Sequence, residues 1–186
     1  MKSTTLSFLR ALGVLMFGLL LAACGEPEEA AQSLAPVAFH PSDECHVCGM
    51  VISDFPGPKG EAVSAAGVRK FCSTAEMLGW WLQPENRSSQ AKLYVHDMGR
   101  SAWHAPDDSH LIDATTAYYV VGPRLQGAMG AVLASFADEQ AAQNLVAEKG
   151  GRVVRFEQID QELLQEAAAA QHGGAGHGAN GDHSGH

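Results

Sequence analysis

Two thiols, an imidazole and a thioether occur within six consecutive residues, 45–50, whose sequence is CHVCGM. Soft sulfur ligands of this kind select monovalent copper over hard cations, and imidazole is also acceptable to that ion. The segment therefore predicts a soft-metal site. A redox pair formed by Cys45 and Cys48 and a structural zinc knuckle are the alternatives at this point.

The residues around this segment rank the three interpretations. A redox pair is usually found at a helix N-terminus, which lowers the pKa of one thiol, whereas residues 50–52 predict a strand. A zinc knuckle normally uses a second Cys/His pair at similar spacing, and the sequence between the two ends of the chain offers none. The soft-metal site therefore ranks first and the zinc knuckle last.

A second group of donors lies in residues 94–99, whose sequence is YVHDMG. In a strand, His96 and Met98 project from the same face, and Asp97 is placed to orient an imidazole. Taken alone, the methionine is more simply a filler of the core. Beside residues 45–50, the two side chains favour a shared metal site.

The remaining donor residues have simpler explanations. Cys72 precedes Ser73, a predicted helix cap where a thiolate is stabilised, and fits a small buried residue equally well. Met129 lies between glycines and is either core or ligand, while His104 and His110 are expected in a solvent-exposed loop. The sequence shows neither a phosphate-binding loop nor a nucleophile elbow. We therefore predict a binding protein rather than an enzyme.

Both ends of the chain carry recognisable signals. Residues 1–23 combine a basic start with a 13-residue apolar run, which is too short to span a bilayer and is typical of a signal peptide. The run ends in LAAC, so Cys24 is the predicted lipidation site, and residues 24–36 predict a flexible tether. Residues 172–186 are rich in Gly and His and predict a disordered tail that binds divalent metals weakly.

The composition excludes one broad class of function. The 186 residues include 21 acidic and 12 basic side chains, which gives a net charge of −9. Phosphate contacts need a surface rich in Lys and Arg, so a general nucleic-acid binder is excluded. With both ends set aside, about 130 residues remain, the size of one folded body.

Two similar halves make up this body. In residues 37–100, a hairpin at 61–65 and 68–71 precedes a helix capped by Ser73 and a strand at 93–96. In residues 101–171, a strand at 117–121 and an apolar stretch at 131–136 precede a helix capped by Asp138, a strand at 153–156 and a terminal helix at 158–171. The predicted fold is α+β, with two ββαβ units packed together.

The same segments carry a family resemblance. The sequences at 45–50, 55–60 (FPGPKG), 69–73 (RKFCS), 94–99, 117–122 (AYYVVG) and 127–130 (GAMG) resemble the nitrous oxide reductase accessory lipoprotein family, NosL. The resemblance covers residues 37–156 and includes the lipobox that ends at Cys24. The His-rich tail lies outside it.

The resemblance implies a periplasmic, membrane-anchored metallochaperone that binds Cu(I). Its expected task is to help assemble the copper–sulfide centre of nitrous oxide reductase, alongside an ABC transporter complex of the maturation machinery. A pair of ββαβ units is also implied. The outer membrane is favoured for the lipid anchor because Gly25 follows the lipidation site, and no nucleic acid is expected as a partner.

Within this expectation, Cys48, Met50 and Met98 are the first Cu(I) ligands to test. His96 comes next, and Cys45 is able to replace one of them. Two or three soft ligands would leave a route open for copper exchange. The alternative functions are a periplasmic thiol–disulfide oxidoreductase that uses Cys45 and Cys48, and a surface lipoprotein whose cysteines only stabilise its structure.

Overall fold

The first sheet assembles around the predicted hairpin. In the computed structural model, which describes residues 34–128 and 130–173, strands β1 (Gly60–Ser64) and β2 (Gly67–Phe71) pair antiparallel. Strand β3 (Lys92–His96) pairs with the other side of β1, and β4 (Leu111–Asp113) pairs with β3. The resulting order is β2-β1-β3-β4, and the central strand β1 is buried throughout.

Helix α1 (Thr74–Trp81) and the single turn α2 (Pro84–Arg87) connect β2 to β3. Ser73 caps α1 as predicted, because its hydroxyl accepts a hydrogen bond from the Glu76 backbone N–H at 3.1 Å. Met77 of α1 packs directly on Gly60 of β1, where an added Cβ would lie 2.7 Å from the Met77 sulfur. A glycine at this position therefore lets the helix approach the sheet closely.

The second sheet repeats the arrangement of the first. Strands β5 (Tyr118–Val121) and β6 (Leu133–Phe136) pair antiparallel, helix α3 (Glu139–Lys149) follows, and β7 (Arg152–Arg155) pairs with the other side of β5. The order β6-β5-β7 matches β2-β1-β3. The predicted α+β fold of two ββαβ units is confirmed.

The predicted ends of α3 are also confirmed. The Asp138 carboxylate accepts a hydrogen bond from the Ala141 backbone N–H at 2.9 Å. Gly150 ends the helix with a φ of 76°, a conformation that a residue with a side chain rarely adopts. Helix α4 (Gln161–Gly173) closes the described chain, and none of the helices in residues 34–128 and 130–173 has the length and apolarity needed to cross a membrane.

Two predictions of secondary structure are wrong, and one strand was not predicted. Residues 50–52 do not form a strand: Val51 makes an isolated bridge to Glu44, and a 3-10 turn (Ile52–Asp54) follows. Strand β4 was not predicted, because three residues are too few to show an alternating pattern. The terminal helix begins at Gln161 rather than at residue 158, because residues 156–158 form a separate 3-10 turn.

The main core lies across both units. It joins Phe71, Leu78 and Val95 of the first unit to Tyr119 and Leu133 of the second, and it includes two buried cysteines. A smaller cluster lies under α3 and comprises Val120, Ala134, Phe136 and Ala142. The predicted signal peptide, Cys24, most of the tether, Met129 and the tail beyond residue 173 lie outside the described residues.

Candidate metal centre

Three cysteine side chains converge at the edge of the first unit. The sulfur atoms of Cys45, Cys48 and Cys72 all lie within 4.8 Å of one another, and no other group of three or more His, Cys, Asp or Glu ligands converges in this way among the described residues. The Cys48 and Cys72 sulfurs are 3.8 Å apart, and all three thiols are free. Cys45 and Cys72 are buried, whereas Cys48 is half-buried and is the most accessible sulfur.

A tight loop positions two of these sulfurs. We call residues 43–52 the cysteine loop. Within it the Cys45 backbone N–H donates to the Met50 carbonyl, and the Gly49 N–H donates to the Cys45 carbonyl, each at 2.8 Å. Gly49 has a φ of 71°, so the turn uses the left-handed region that favours glycine. The loop thereby brings Cys45 and Cys48 to one side.

The third sulfur comes from the end of strand β2. Phe71 is the last residue of β2, and Cys72 stands between it and the helix cap Ser73. The His46 N–H donates to the Lys70 carbonyl at 2.8 Å, which holds the cysteine loop alongside β2. The strand, the loop and the start of α1 therefore meet at the three sulfurs.

The protein environment lowers the pKa of Cys45 and raises the pKa of Cys72. Burial acts to raise the pKa of Cys45, but hydrogen bonds from the backbone N–H groups of Cys48, Cys72 and Val47 outweigh it, and the pKa is lowered. Burial raises the pKa of Cys72, and the neighbouring sulfurs of Cys45 and Cys48 raise it further. The cluster thus combines one thiol that loses its proton more easily than a free cysteine with one that loses it less easily.

His96 is placed elsewhere, with both ring nitrogens engaged. Its Nδ1 accepts a hydrogen bond from the Lys59 backbone N–H at 3.1 Å, and its Nε2 lies 2.9 Å from the Asp108 carboxylate. Because Nδ1 faces a donor, Nε2 carries the proton and donates to Asp108. Burial lowers the pKa of His96, against the opposing effect of Asp108, so a neutral ring linking β3 to the loop at residue 108 is favoured.

The structure does not bring Met98 and Asp97 into the cysteine cluster. Met98 packs against the smaller core cluster under α3, and its backbone N–H donates to the Ser135 carbonyl at 2.8 Å. The Asp97 carboxylate, expected to orient an imidazole, instead accepts hydrogen bonds from the backbone N–H groups of Gly99 and Ala137, at 2.9 and 3.1 Å. These residues join the two ββαβ units.

The remaining predicted donors are distributed as follows. Met50 is half-buried at the end of the Cys45–Cys48 turn and contributes its carbonyl to that turn. His104 is exposed as expected, but His110 is half-buried, with its Nδ1 3.3 Å from the Ser101 hydroxyl. The odd number of cysteines was the sequence signal for Cys72, and only the fold shows which residues it joins.

An apolar cleft lies beside the cysteine loop. The Val47 side chain is 53% exposed and lines a cavity of about 480 Å³ together with Trp80, Ala131 and Leu164. His46 is exposed and packs edge-on against Phe71 and Trp80, with ring centroids 5.9 and 6.0 Å away. The half-buried Cys48 is therefore flanked by exposed residues of its own loop.

The comparison with known proteins assigns the chain to a family. A family model described as NosL matches residues 36–164. The chain belongs to the NosL family. It is 71% identical over 174 residues to the copper-binding lipoprotein NosL of Stutzerimonas stutzeri, which covers 93% of this chain and 90% of the relative.

More distant members of the NosL family agree with this assignment. The copper-binding lipoprotein NosL of Achromobacter cycloclastes is 31% identical over 150 residues, covering 78% of this chain and 77% of that protein. The crystal structure of the copper chaperone NosL from Shewanella denitrificans matches with a TM-score of 0.67 at 40% identity, covering 70% of this chain and 98% of that chain. The fold and the predicted family membership are therefore confirmed.

Proposed function

We propose that this protein binds one Cu(I) ion through Cys45, Cys48 and Cys72 and passes it to a recipient without catalytic turnover. The observation that carries the proposal is the meeting of three free thiols within 4.8 Å of one another. Thiolates are the protein ligands that most strongly favour Cu(I) over hard cations. The relatives named copper-binding lipoproteins and a copper chaperone support copper as the metal.

The pKa values of the thiols determine how readily each sulfur becomes a ligand for Cu(I). Cys45 has a lowered pKa, so it releases its proton to become a thiolate ligand more readily than Cys72 does. Cys72 has a raised pKa, so its sulfur binds Cu(I) only by releasing a proton to solvent. Copper stays Cu(I) throughout. Cys48 is half-buried, whereas Cys45 and Cys72 are buried, so its sulfur is the one most accessible to an incoming or outgoing ligand.

This ligand set replaces the one that the sequence favoured. Cys48 and Cys45 remain and Cys72 is added. Met50 stays a fourth donor to test because it lies in the cysteine loop two residues after Cys48. His96 is left out because Lys59 and Asp108 occupy both of its nitrogens. Met98 is left out because it packs under α3.

The proposed cellular role extends the family membership. The lipobox, and relatives that are named lipoproteins, support an acylated Cys24 at a periplasmic membrane surface, with the outer membrane favoured. The expected recipient pathway is maturation of the copper–sulfide centre of nitrous oxide reductase, together with its ABC transporter complex. Nucleic acid is not proposed as a partner because the chain is acidic.

Anaerobic titration of the reduced protein with Cu(I) against a competing chelator tests the proposal. We expect uptake of one tightly held ion, and a loss of at least about tenfold in affinity for Cys48→Ser, equal to about 1.4 kcal/mol. Met98→Leu is the matched control and should leave the affinity unchanged. No uptake by the wild-type protein would overturn the function, and a loss in Met98→Leu with none in Cys48→Ser would overturn the ligand set.

A thiol–disulfide oxidoreductase is the second candidate function. The lowered pKa of Cys45 and the 3.8 Å separation of the Cys48 and Cys72 sulfurs favour it, because a thiolate next to a second thiol is the arrangement that such enzymes use. The two candidates differ in turnover. An oxidoreductase reduces a test disulfide repeatedly when supplied with a dithiol, whereas a copper carrier does not.

A further inference from the structure

The cluster of three sulfurs depends on two separate segments. The cysteine loop is closed on itself, because the Cys45 N–H donates to the Met50 carbonyl at 2.8 Å and the Ile52 N–H donates to the Asp43 carbonyl at 2.9 Å. It carries two of the thiols, whereas Cys72 directly follows β2. The distance between the Cys48 and Cys72 sulfurs is therefore set by how the loop is attached to the strand.

Lys70 attaches the loop to β2 at two points. Its carbonyl accepts the hydrogen bond from the His46 N–H at 2.8 Å. Its Nζ donates to the Asp43 carboxylate at 2.6 Å. Lys70 is itself a residue of β2 and lies two positions before Cys72. It therefore fixes the loop to the part of the strand that leads to the third sulfur.

The surroundings of this ion pair partly shield it from water. The Lys70 and Asp43 side chains are only 15% and 26% exposed. The Lys70 Nζ also donates to the Ala38 carbonyl at 2.6 Å and lies 5.1 Å from the centroid of the Phe39 ring. The Asp43 carboxylate also accepts from the His40 N–H at 2.7 Å. A shielded, hydrogen-bonded pair fixes geometry more firmly than an exposed pair, whose ions water screens.

We propose that Lys70 and Asp43 form a positioning pair for the metal centre, which holds the cysteine loop against β2 and thereby sets the spacing of the three sulfurs. The pair does not contact the metal. Its role rests on the proposed copper function. Without the pair, the loop would keep Cys45 and Cys48 together but let them move away from Cys72, so a site of three sulfurs would become a site of two.

The test removes the ammonium group while keeping the stem of the side chain. Lys70→Met should weaken Cu(I) binding by at least about tenfold in anaerobic competition, a change of about 1.4 kcal/mol. X-ray absorption should show fewer Cu–S bonds per copper in Lys70→Met than in the wild-type protein. The matched control is Lys92→Met on β3 of the same sheet, where the lysine is exposed, and it should change neither quantity.

Further variants separate positioning from general stability. Lys70→Arg should restore the number of Cu–S bonds, because a guanidinium still donates to the Asp43 carboxylate. Asp43→Asn should reproduce the defect, and combining it with Lys70→Met should add little, since both changes break the same pair. If Lys70→Met fails to fold, Asp43→Asn carries the test with the same measurements.

A measurement without copper tests the positioning role of Lys70 independently of the proposed copper function. A diazene oxidant, which accepts two electrons and two protons from two thiols, should form the Cys48–Cys72 disulfide faster in the wild-type protein than in Lys70→Met. If affinity, sulfur number and this rate are all unchanged in Lys70→Met, the positioning role is wrong. If the wild-type protein binds no Cu(I) but the disulfide rate still falls in the variant, the positioning role holds and the copper function fails.

Discussion

The three cysteines differ in what the backbone does to each thiol. Cys45 receives backbone N–H groups that outweigh its burial and lower its pKa, whereas Cys72 is buried beside the other two sulfurs and its pKa is raised. The CHVCGM motif shows the first two ligands but not the third, because Cys72 lies 24 residues beyond Cys48. Its partners are set by the attachment of the cysteine loop to β2, which no local pattern encodes.

Glu61 is the buried carboxyl group from which we predict a pH dependence of stability. It is fully buried on β1, its Oε1 accepts the Val37 N–H at 2.8 Å, and its other oxygen has no hydrogen-bond partner among the described residues. Burial raises its pKa from 4.5 to about 7. The folded state therefore binds the proton more tightly than the unfolded state, and the corresponding stability is present below about pH 4.5 and lost as pH rises through 7.

The measurement is the free energy of unfolding in urea between pH 4.5 and 8. For the wild-type protein, Glu61 should contribute a fall of up to about 3 kcal/mol over this range. Glu61→Gln keeps an acceptor for the Val37 N–H and has no titrating proton, so its curve should be flatter by that amount. Parallel curves for the two proteins would contradict the assignment.

The secondary-structure elements whose residues give strong local sequence signals were predicted correctly. The hairpin of β1 and β2, the caps at Ser73 and Asp138, and the helix end at Gly150 follow from local residue chemistry and were found in place. The predicted strand at residues 50–52 was wrong because tight closure of the cysteine loop uses those backbone groups instead. Strand β4 forms by pairing with the free edge of β3. It therefore depends on tertiary structure rather than on its local sequence.

Two glycines in contact with the same helix should respond oppositely to alanine. Gly60→Ala places a methyl group 2.7 Å from the Met77 sulfur and 2.9 Å from its Cβ, and should cost about 1–3 kcal/mol of stability through overpacking. Gly79→Ala lies within α1, with its nearest neighbour at 3.8 Å, and should stabilise by up to about 1 kcal/mol. Thermal and urea unfolding measure both, and a neutral Gly60→Ala would contradict the close approach of α1 to β1.

At the scale of the whole molecule, the two ββαβ units are joined by the residues that the sequence had offered as ligands. The Ser135 hydroxyl donates to the His96 carbonyl at 2.7 Å, and the Met98 N–H donates to the Ser135 carbonyl at 2.8 Å. The Asp97 carboxylate accepts the Ala137 N–H at 3.1 Å. The segment at the end of β3 meets the second unit here and must satisfy its buried polar groups, which explains why these residues serve the interface.

The His-rich tail provides a prediction for the complete chain. If Cu(I) binds at the three cysteines, removal of the residues after Gly173 should leave one tightly bound Cu(I) per chain and the same affinity. Weak binding of divalent copper or nickel should fall, because the removed segment contains His177, His183 and His186. Equilibrium dialysis with each ion measures both effects, and a loss of tight Cu(I) binding would contradict the cysteine site.

The sequence alone determined the properties that depend on neighbours along the chain. It established the lipobox pattern, the helix caps, the hairpin and the order of the ββαβ elements, since each of these is built from residues a few positions apart. It also established the acidic balance, which is a sum over the chain and needs no structure. The tertiary structure decided which donors meet. Long-range packing joined Cys72 to Cys45 and Cys48 and placed His96 and Met98 between the units, because only the folded backbone determines which distant side chains share one site.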